Sequence, residues 1–212
     1  MRIGKIARSS SHIDYVCQVH QAGEVAEAPQ PADYAFGTFV RVVAGPGQAI
    51  IGLIYNTVLV NPDFGALGPR LSNTQDLAVF SPDYLNEKVT LVGIVAIGAW
   101  GPDGLVLHGV PPQTAQIDAV VESLSDEEVR AFHADARVPG TSRSAGSSWG
   151  GPALGGVRIG YAPVLIAHGS PLARHLLLNI LERLETLCPE ACQPLRVLKG
   201  NVAWRAAVEP LG

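Results

Sequence analysis

The segment Ala167–Pro171 (AHGSP) places His168 and Ser170 two residues apart, at a predicted junction between a strand and a helix. Amide groups at the start of a helix can hold an anion or an oxyanion, so this junction is a candidate catalytic site. The G-x-S-x-G motif of serine hydrolases is missing, and a histidine so close in sequence does not give the usual three-residue geometry. Helix capping by Ser170 explains the same residue without catalysis.

The other potential ligands and nucleophiles are dispersed along the chain. Cys188 and Cys192 (CPEAC) have no third or fourth ligand nearby in the sequence, so they predict helix-end packing or a redox-labile pair rather than a structural zinc site. Cys17 lies in a strand-like segment and is expected to be a small buried hydrophobe. The remaining histidines are isolated and typical of surface or satisfied core groups: His12, His20, His108, His133 and His175. We therefore expect no metal site.

The glycine-rich segments do not predict a nucleotide site. GPGQAIIG has the wrong spacing for dinucleotide binding and lies between two predicted strands, whereas GGPALGGVRIG opens an extended segment rather than a helix. The phosphate-binding string G-x-x-x-x-G-K-[ST] does not occur in the sequence. We therefore expect no cofactor, no magnesium-dependent ATP binding and no ATPase activity.

The composition indicates a compact protein with few surface charges, since 47% of the 212 residues are hydrophobic and 16% are charged. The net charge of -4 and the lack of a basic run argue against nucleic-acid binding by the chain alone. The N-terminal segment has charges every few residues, and no stretch approaches the ~20 apolar residues of a membrane helix. We expect a cytoplasmic protein without membrane insertion.

The first part of the chain predicts a small closed antiparallel β-barrel or a sandwich, because short segments rich in Val and Ile alternate with turns that contain Gly and Pro. The predicted strands are Arg2–Arg8, Ile13–His20, Thr38–Val43, Ala49–Leu59, Val89–Ile97, Leu105–Gly109 and, as the closing strand, Gln116–Leu124. The turn Gly45–Gly47 predicts an antiparallel hairpin whose two strands show alternating burial.

A connecting helix and a loop are predicted after the barrel. Ser125 and Glu128 have the types and spacing of a capping box, which explains the acidic residues there without an acid–base site. The Gly/Ser-rich segment Pro139–Gly156 predicts a flexible loop that joins the two halves of the chain.

The C-terminal part predicts mixed α and β structure. Residues 157–169 are predicted as an extended segment, and one long amphipathic helix follows, with Ser170 as its cap and Pro171 in its first turn. The apolar residues of this helix recur at helical spacing: Leu172, Leu176, Leu177, Ile180, Leu184 and Leu187. Two short strands, Arg196–Leu198 and Val202–Val208, are predicted around the Gly200-Asn201 turn signal.

Glycines and hydrophobic residues recur at defined places in the barrel strands: Gly4 and Ile6, then Gly37, Phe39 and Val40, then Gly52 and Ile54, and later the segment DGLVLHGVPPQ. On these residues Met1–Leu124 resembles the HAS-barrel, the small β-barrel of HerA-type DNA-translocating ATPases and of the catalytic-ring subunits of rotary ATP synthases. The segment Asn61–Tyr84 is longer and more irregular than that pattern needs. In those ATPases the barrels pack side by side as a collar while a separate domain hydrolyses ATP, so the resemblance implies an assembly role without a motor.

We thus expect a barrel at 1–124, a connecting helix at 125–138, a flexible loop at 139–156 and an α+β region at 157–212. The main hypothesis is a non-enzymatic assembly or adaptor protein that forms homo-oligomers or docks on a P-loop ring ATPase. Two alternatives stay open: an enzyme that uses His168 and Ser170, and a barrel that binds nucleic acid or a small ligand. Apolar surface left over on the long helix would favour self-association, unless that helix packs on its own barrel.

Overall fold

The computed structural model describes residues 1–61, 89–134 and 154–208. All seven strands expected in the first part of the chain are present within these residues, with ends shifted by a few positions. They are β1 (Arg2–Ser9), β2 (Asp14–Val19), β3 (Phe39–Gly45), β4 (Gln48–Val60), β5 (Val89–Trp100), β6 (Val106–His108) and β7 (Val120–Ser123). The closing strand β7 is shorter than predicted, because Gln116 and the residues up to Ala119 form a turn before it.

Six of these strands close into an antiparallel barrel. The neighbours follow the order β2-β1-β7-β3-β4-β5, and β5 pairs again with β2, which completes the ring. Strand β6 lies outside the ring and pairs with Gly98–Trp100 at the far end of β5. The fold class predicted from the sequence, mainly β with a small closed antiparallel barrel, is confirmed.

The predicted antiparallel hairpin between β3 and β4, joined through Gly45–Gly47, is confirmed. Phe39 pairs with Leu53 and Val42 pairs with Ile50, and the turn contains Gly47 with a left-handed φ of 66°. Glycine adopts this conformation without the steric penalty that a side chain would add. The predicted alternation of burial is present in part of β3, where Arg41 is half-buried between the buried Val40 and Val42. It is wrong for Ile50–Tyr55, because residues 50–54 of β4 are all buried and both faces of this strand pack against apolar side chains, as described below.

The C-terminal part is helical in the described residues. The helices are α1 (Asp126–His133), α2 (Ala162–Ala167), α3 (Ala173–Leu187) and α4 (Cys192–Val208), with a single 3-10 turn at Pro189–Ala191. Helix α1 begins with the predicted capping box, in which Ser125 and Glu128 exchange hydrogen bonds with each other's backbone amides. Helix α3 is the long amphipathic helix that the apolar spacing predicted.

Two hydrophobic cores lie on the two faces of the barrel wall. The inner core fills the barrel and consists of Ile3, Ile6, Tyr15, Cys17, Val19, Val40, Val42, Ile50, Ile54, Val92, Ile94, Ala96 and Val121. The outer core packs the helices on the barrel, and its wall side consists of Phe39, Ile51, Leu53, Val95 and Ile97. Successive residues of β3, β4 and β5 therefore point into different cores. Because these strands are buried on both faces, their sequences are nearly continuous apolar runs.

The predicted strands Arg196–Leu198 and Val202–Val208 are wrong, because both segments belong to helix α4. Leu195 is fully buried and Leu198 and Val202 pack against the outer core, which is a helical spacing of three, then four residues. Burial of this face outweighs the strand preference of the valines and the helix penalty of Gly200, which is about 1 kcal/mol.

The extended segment predicted at 157–169 is also wrong in its second half, which forms α2. Pro163 occupies the first turn of this helix, where its missing N–H is not needed. The predicted junction at His168 and Ser170 is therefore between two helices, not between a strand and a helix. The flexible loop predicted at Pro139–Gly156 and the irregular segment Asn61–Tyr84 lie almost wholly outside the described residues.

Candidate functional site

A groove lies between α2, α3 and α4 and has a volume of about 700 Å³. Its apolar lining consists of Ile166, Pro171, Ala173, Leu177, Leu198, Val202 and Trp204, and its polar lining of Ser170, Arg174 and Asn201. We call this surface the helical groove. Its walls come from all three helices that follow residue 160, so the groove depends on how α4 packs on α3.

Exposed apolar side chains stand at this groove. Ile166 is 68% exposed and Trp204 is 66% exposed, which is unusual for side chains of this size. Val197, on α4, is exposed as well. A concave surface with large exposed apolar side chains is typical of a place where another molecule binds.

Apolar contacts hold α4 on α3 and so fix the shape of the groove, and ion pairs between the two helices lie beside these contacts. The Glu185 carboxylate of α3 lies 3.6 Å from the Lys199 ammonium and 3.8 Å from the Arg196 guanidinium. Leu181 and Leu195 are fully buried in the outer core beside these pairs. The predicted leftover surface on the long helix is not there, because its stripe from Leu176 to Leu187 is buried inside the molecule and only Leu172 is exposed.

The structure gives His168 and Ser170 different surroundings. The His168 ring packs edge-on against the ring of Tyr55, with centroids 4.7 Å apart, and the Tyr55 hydroxyl donates to Asp14 at 2.9 Å. The Ser170 hydroxyl accepts a hydrogen bond from the Leu172 amide at 3.2 Å and lines the helical groove. Helix α3 begins two residues later than expected, so Ser170 caps the turn before the helix rather than the helix itself.

A second group of polar side chains is buried between the barrel and the helices. His133 of α1 donates from Nδ1 to the Val129 carbonyl oxygen at 2.7 Å, so Nε2 accepts from the Tyr161 hydroxyl at 2.8 Å. His108 of β6 donates from Nε2 to the Phe132 carbonyl oxygen at 2.8 Å and stacks on the Phe132 ring. The Nδ1 atom of His108 is buried without a hydrogen-bond partner in the part of the chain that the structure describes.

Burial controls the protonation of this histidine pair. Removal from water lowers the pKa of His108 to about 4 and the pKa of His133 to about 3. Burial also raises the pKa of Tyr161 well above its usual range. At neutral pH all three groups are therefore uncharged, and their hydrogen bonds fix α1 and residue 161 against the barrel.

The three cysteines have free thiols and differ in their burial. Cys17 is fully buried in the inner core, as predicted, and burial raises the pKa of its thiol to about 12. Cys188 ends α3 in a buried position, and burial also raises its pKa. Cys192 is half-buried at the start of α4. Within residues 1–61, 89–134 and 154–208, no cluster of three or more His, Cys, Asp or Glu side chains can hold a metal ion.

The sequence does not predict the helical groove, because the segments that form two of its walls were expected to be an extended segment, at 157–169, and two strands, Arg196–Leu198 and Val202–Val208. The signal for a helix was the spacing of Leu195, Leu198 and Val202, which places these three residues on one helical face. Trp204 follows close by in the same segment. The sequence predicts isolated histidines, since 25 positions separate His108 from His133 in the chain. Only the docking of α1 on β6 brings them together.

The fold and the groove define a mainly β protein, a six-strand barrel that carries a helical layer with an apolar groove. Residues 1–145 match the family model described as "Domain of unknown function (DUF8166)", and the chain belongs to this family. The match includes the whole barrel and α1 and ends before α2. No match was found among curated proteins. None of the described helices is both long and apolar enough to cross a membrane.

Proposed function

We propose that this protein is a non-enzymatic assembly protein of the cytoplasm, built on a HAS-type barrel without a motor domain, which self-associates through the helical groove. The observation that carries the proposal is the exposed Trp204 beside a groove lined by Ile166, Leu177 and Leu198. A projecting side chain and a concave surface on one face are self-complementary. Two copies related by a twofold axis can therefore place each Trp204 in the partner's groove.

The chemistry of the described residues supports a binding role. The buried histidines and Tyr161 bond to each other or to backbone carbonyls, and Ser170 accepts from a backbone amide. These bonds orient elements of the fold, so the atoms that make them need no substrate, whereas the Nδ1 atom of His108 stays without a partner among the described residues. The resemblance to the HAS-barrel implies a second kind of partner, a P-loop ring ATPase, on which the assembly would dock.

Light scattering across about a hundredfold range of protein concentration tests the proposal, because self-association shifts with concentration by mass action. We expect a mass that is a multiple of 22.3 kDa at the upper end. The variant Trp204→Lys should stay monomeric throughout, because a charged side chain cannot enter the apolar groove without a partner.

The matched control is Ile117→Lys, since Ile117 is also exposed, at 62%, but lies in the turn before β7, away from the groove. This variant should associate like the unmodified protein. A mass near 22.3 kDa at every concentration would contradict self-association. Equal association of the two lysine variants would show that the helical groove is not the interface.

A further inference from the structure

A second cavity lies at the end of the barrel, where the turn between β3 and β4 meets the loop between β5 and β6. Its volume is about 460 Å³, and we call it the barrel mouth. The apolar lining includes Ile50, Trp100, Leu105, Leu107, Pro111 and Pro112, and the polar residues Gln48 and Gln113 also line it. Cavities of this size in the mouths of β-barrels are common sites for small molecules.

The walls of the barrel mouth are held in place before any ligand binds. His12 donates from Nε2 to the Pro111 carbonyl oxygen at 2.8 Å, which ties the diproline wall to the β1–β2 connection. The Tyr15 hydroxyl bonds to Thr114 and to the Ala115 amide, both at 3.3 Å, and so fixes the chain that follows this wall. A cavity with fixed walls loses little conformational entropy when it binds a ligand.

The opposite wall is fixed as well. The Trp100 ring packs edge-on against Phe132 of the outer core, with centroids 6.0 Å apart. On the rim, Gly47 lies so close to the loop after β5 that a Cβ there would stand 3.4 Å from the Cα of Pro102. The two turns therefore meet and bound the cavity on that side.

The lining determines what kind of molecule fits. The described residues that line the cavity include no Asp, Glu, Lys, Arg or His, so a charged ligand would lose its hydration without a compensating partner. The flat ring of Trp100 and the rigid prolines favour planar rings, and the Gln48 and Gln113 amides can bond to one polar group. We propose that the barrel mouth binds an uncharged, planar aromatic molecule of two or three rings that carries a single hydrogen-bonding group. This site is separate from the helical groove and does not depend on self-association.

The neutral fluorophore 1-aminoanthracene tests the proposal, since its emission increases in an apolar cavity. We expect saturable binding of one molecule per chain, with a dissociation constant on the order of 10 µM for a ligand of this size. Anthracene-1-sulfonate has the same rings and a permanent charge, and it should bind at least tenfold more weakly.

Two neighbouring residues of β3 give a matched pair of variants. Ala44 lines the cavity, so Ala44→Phe should fill it and weaken binding of 1-aminoanthracene at least tenfold. Val43 is 41% exposed and is absent from the lining, so Val43→Phe should bind as the unmodified protein does. Ala99→Leu fills the cavity from β5 and replaces Ala44→Phe if circular dichroism shows that the latter does not fold.

Absence of saturable binding to the unmodified protein would overturn the proposal. Undiminished binding to the folded cavity-filling variant would overturn it too, because the fluorophore would then occupy another surface. The variant Trp204→Lys separates this site from the proposed function, since its affinity for 1-aminoanthracene should be unchanged whether or not it associates.

Discussion

The inner and outer cores share the strands β3, β4 and β5 but differ in chemistry. The inner core is aliphatic apart from Tyr15 and Cys17, and the Tyr15 hydroxyl reaches out of it to bond to the His12 carbonyl oxygen. Within the described residues it contains no buried histidine or charged group. Its packing is therefore expected to depend little on pH or salt.

The outer core contains polar groups and is bordered by ion pairs. The pair His108 and His133 is buried there with Tyr161. At its border, Arg41 of β3 bonds to Glu122 of β7 at 2.9 Å and to Glu128 of α1 at 2.6 Å. The helices are thus attached to the barrel by contacts with directional preference in addition to apolar burial.

This difference suggests a division of roles between the two cores. Apolar burial inside the barrel stabilises the fold without selecting one orientation for the helices, because it is non-directional. Hydrogen bonds and ion pairs in the outer core select one placement of α1 and the segment after it. Since β3 to β5 belong to both cores, we expect the barrel and helices to unfold together.

Among the substitutions, the largest effect is expected for Phe132→Ala. The Phe132 ring is fully buried, stacks on His108 and meets the edge of Trp100, so its removal leaves a cavity in the outer core. We expect a loss of about 4 kcal/mol in the free energy of unfolding. Urea unfolding followed by far-UV and near-UV circular dichroism measures this loss and whether the two signals change together.

The control is Phe36→Ala, at a residue that is 37% exposed, for which we expect a much smaller loss, of about 1 kcal/mol or less. Two separate transitions in the unmodified protein would show that the cores unfold independently. That result would contradict the idea that the shared strands couple them.

The barrel was predictable from sequence because its signals are local. Gly47 supplies the turn conformation, and the neighbouring β-branched residues favour strands, so the hairpin of β3 and β4 follows from residues close together in the chain. The capping box at Ser125 and Glu128 is also local. The existence of two cores was not predicted, although the uninterrupted apolar run in β5 is the pattern expected for a strand buried on both faces.

The helical groove was not predictable to the same degree because α4 depends on tertiary contacts. Its sequence contains Val197, Gly200 and Val202, which disfavour an isolated helix. Packing of Leu195 in the outer core and the pairing of Lys199 with Glu185 stabilise the helix in the folded protein. Likewise, no local pattern indicates that His108 and His133 meet, since that contact joins two separate elements.

Acid is expected to destabilise the outer core through its two buried histidines. Because burial places the folded-state pKa of His108 at about 4, below the usual 6.5, the unfolded chain binds more protons between these values. The contribution of the neutral His108 to the free energy of unfolding is therefore fully present above pH 6.5. It is lost as the pH decreases toward 4. A difference of this size corresponds to about 3 kcal/mol for His108, and His133 adds to the loss in the same direction. Urea midpoints measured from pH 7.5 down to pH 4 check this profile.

The variant His108→Gln removes one titrating group and should flatten that profile, whatever its stability at neutral pH. His175→Gln is the control, because His175 is exposed on α3. A profile that is equally steep in His108→Gln would mean that protonation of His108 does not cause the loss of stability in acid.

The smallest effect is expected for Arg41→Met, which removes both ion pairs at the border of the outer core and leaves two carboxylates from β7 and α1 facing each other. These side chains are partly exposed, so we expect a loss of about 1 kcal/mol at low salt that becomes smaller at about 1 M NaCl. Arg196→Met is the matched control, since Arg196 is 65% exposed and its single pair with Glu185 spans 3.8 Å; its effect should stay within about 0.3 kcal/mol.

A double-mutant cycle of Arg41→Met with Glu128→Gln isolates the contact between barrel and helix. A coupling energy of zero would mean that the Arg41–Glu128 ion pair does not hold α1 on the barrel, and the contrast between a directional outer core and a non-directional inner core would then rest on the histidines.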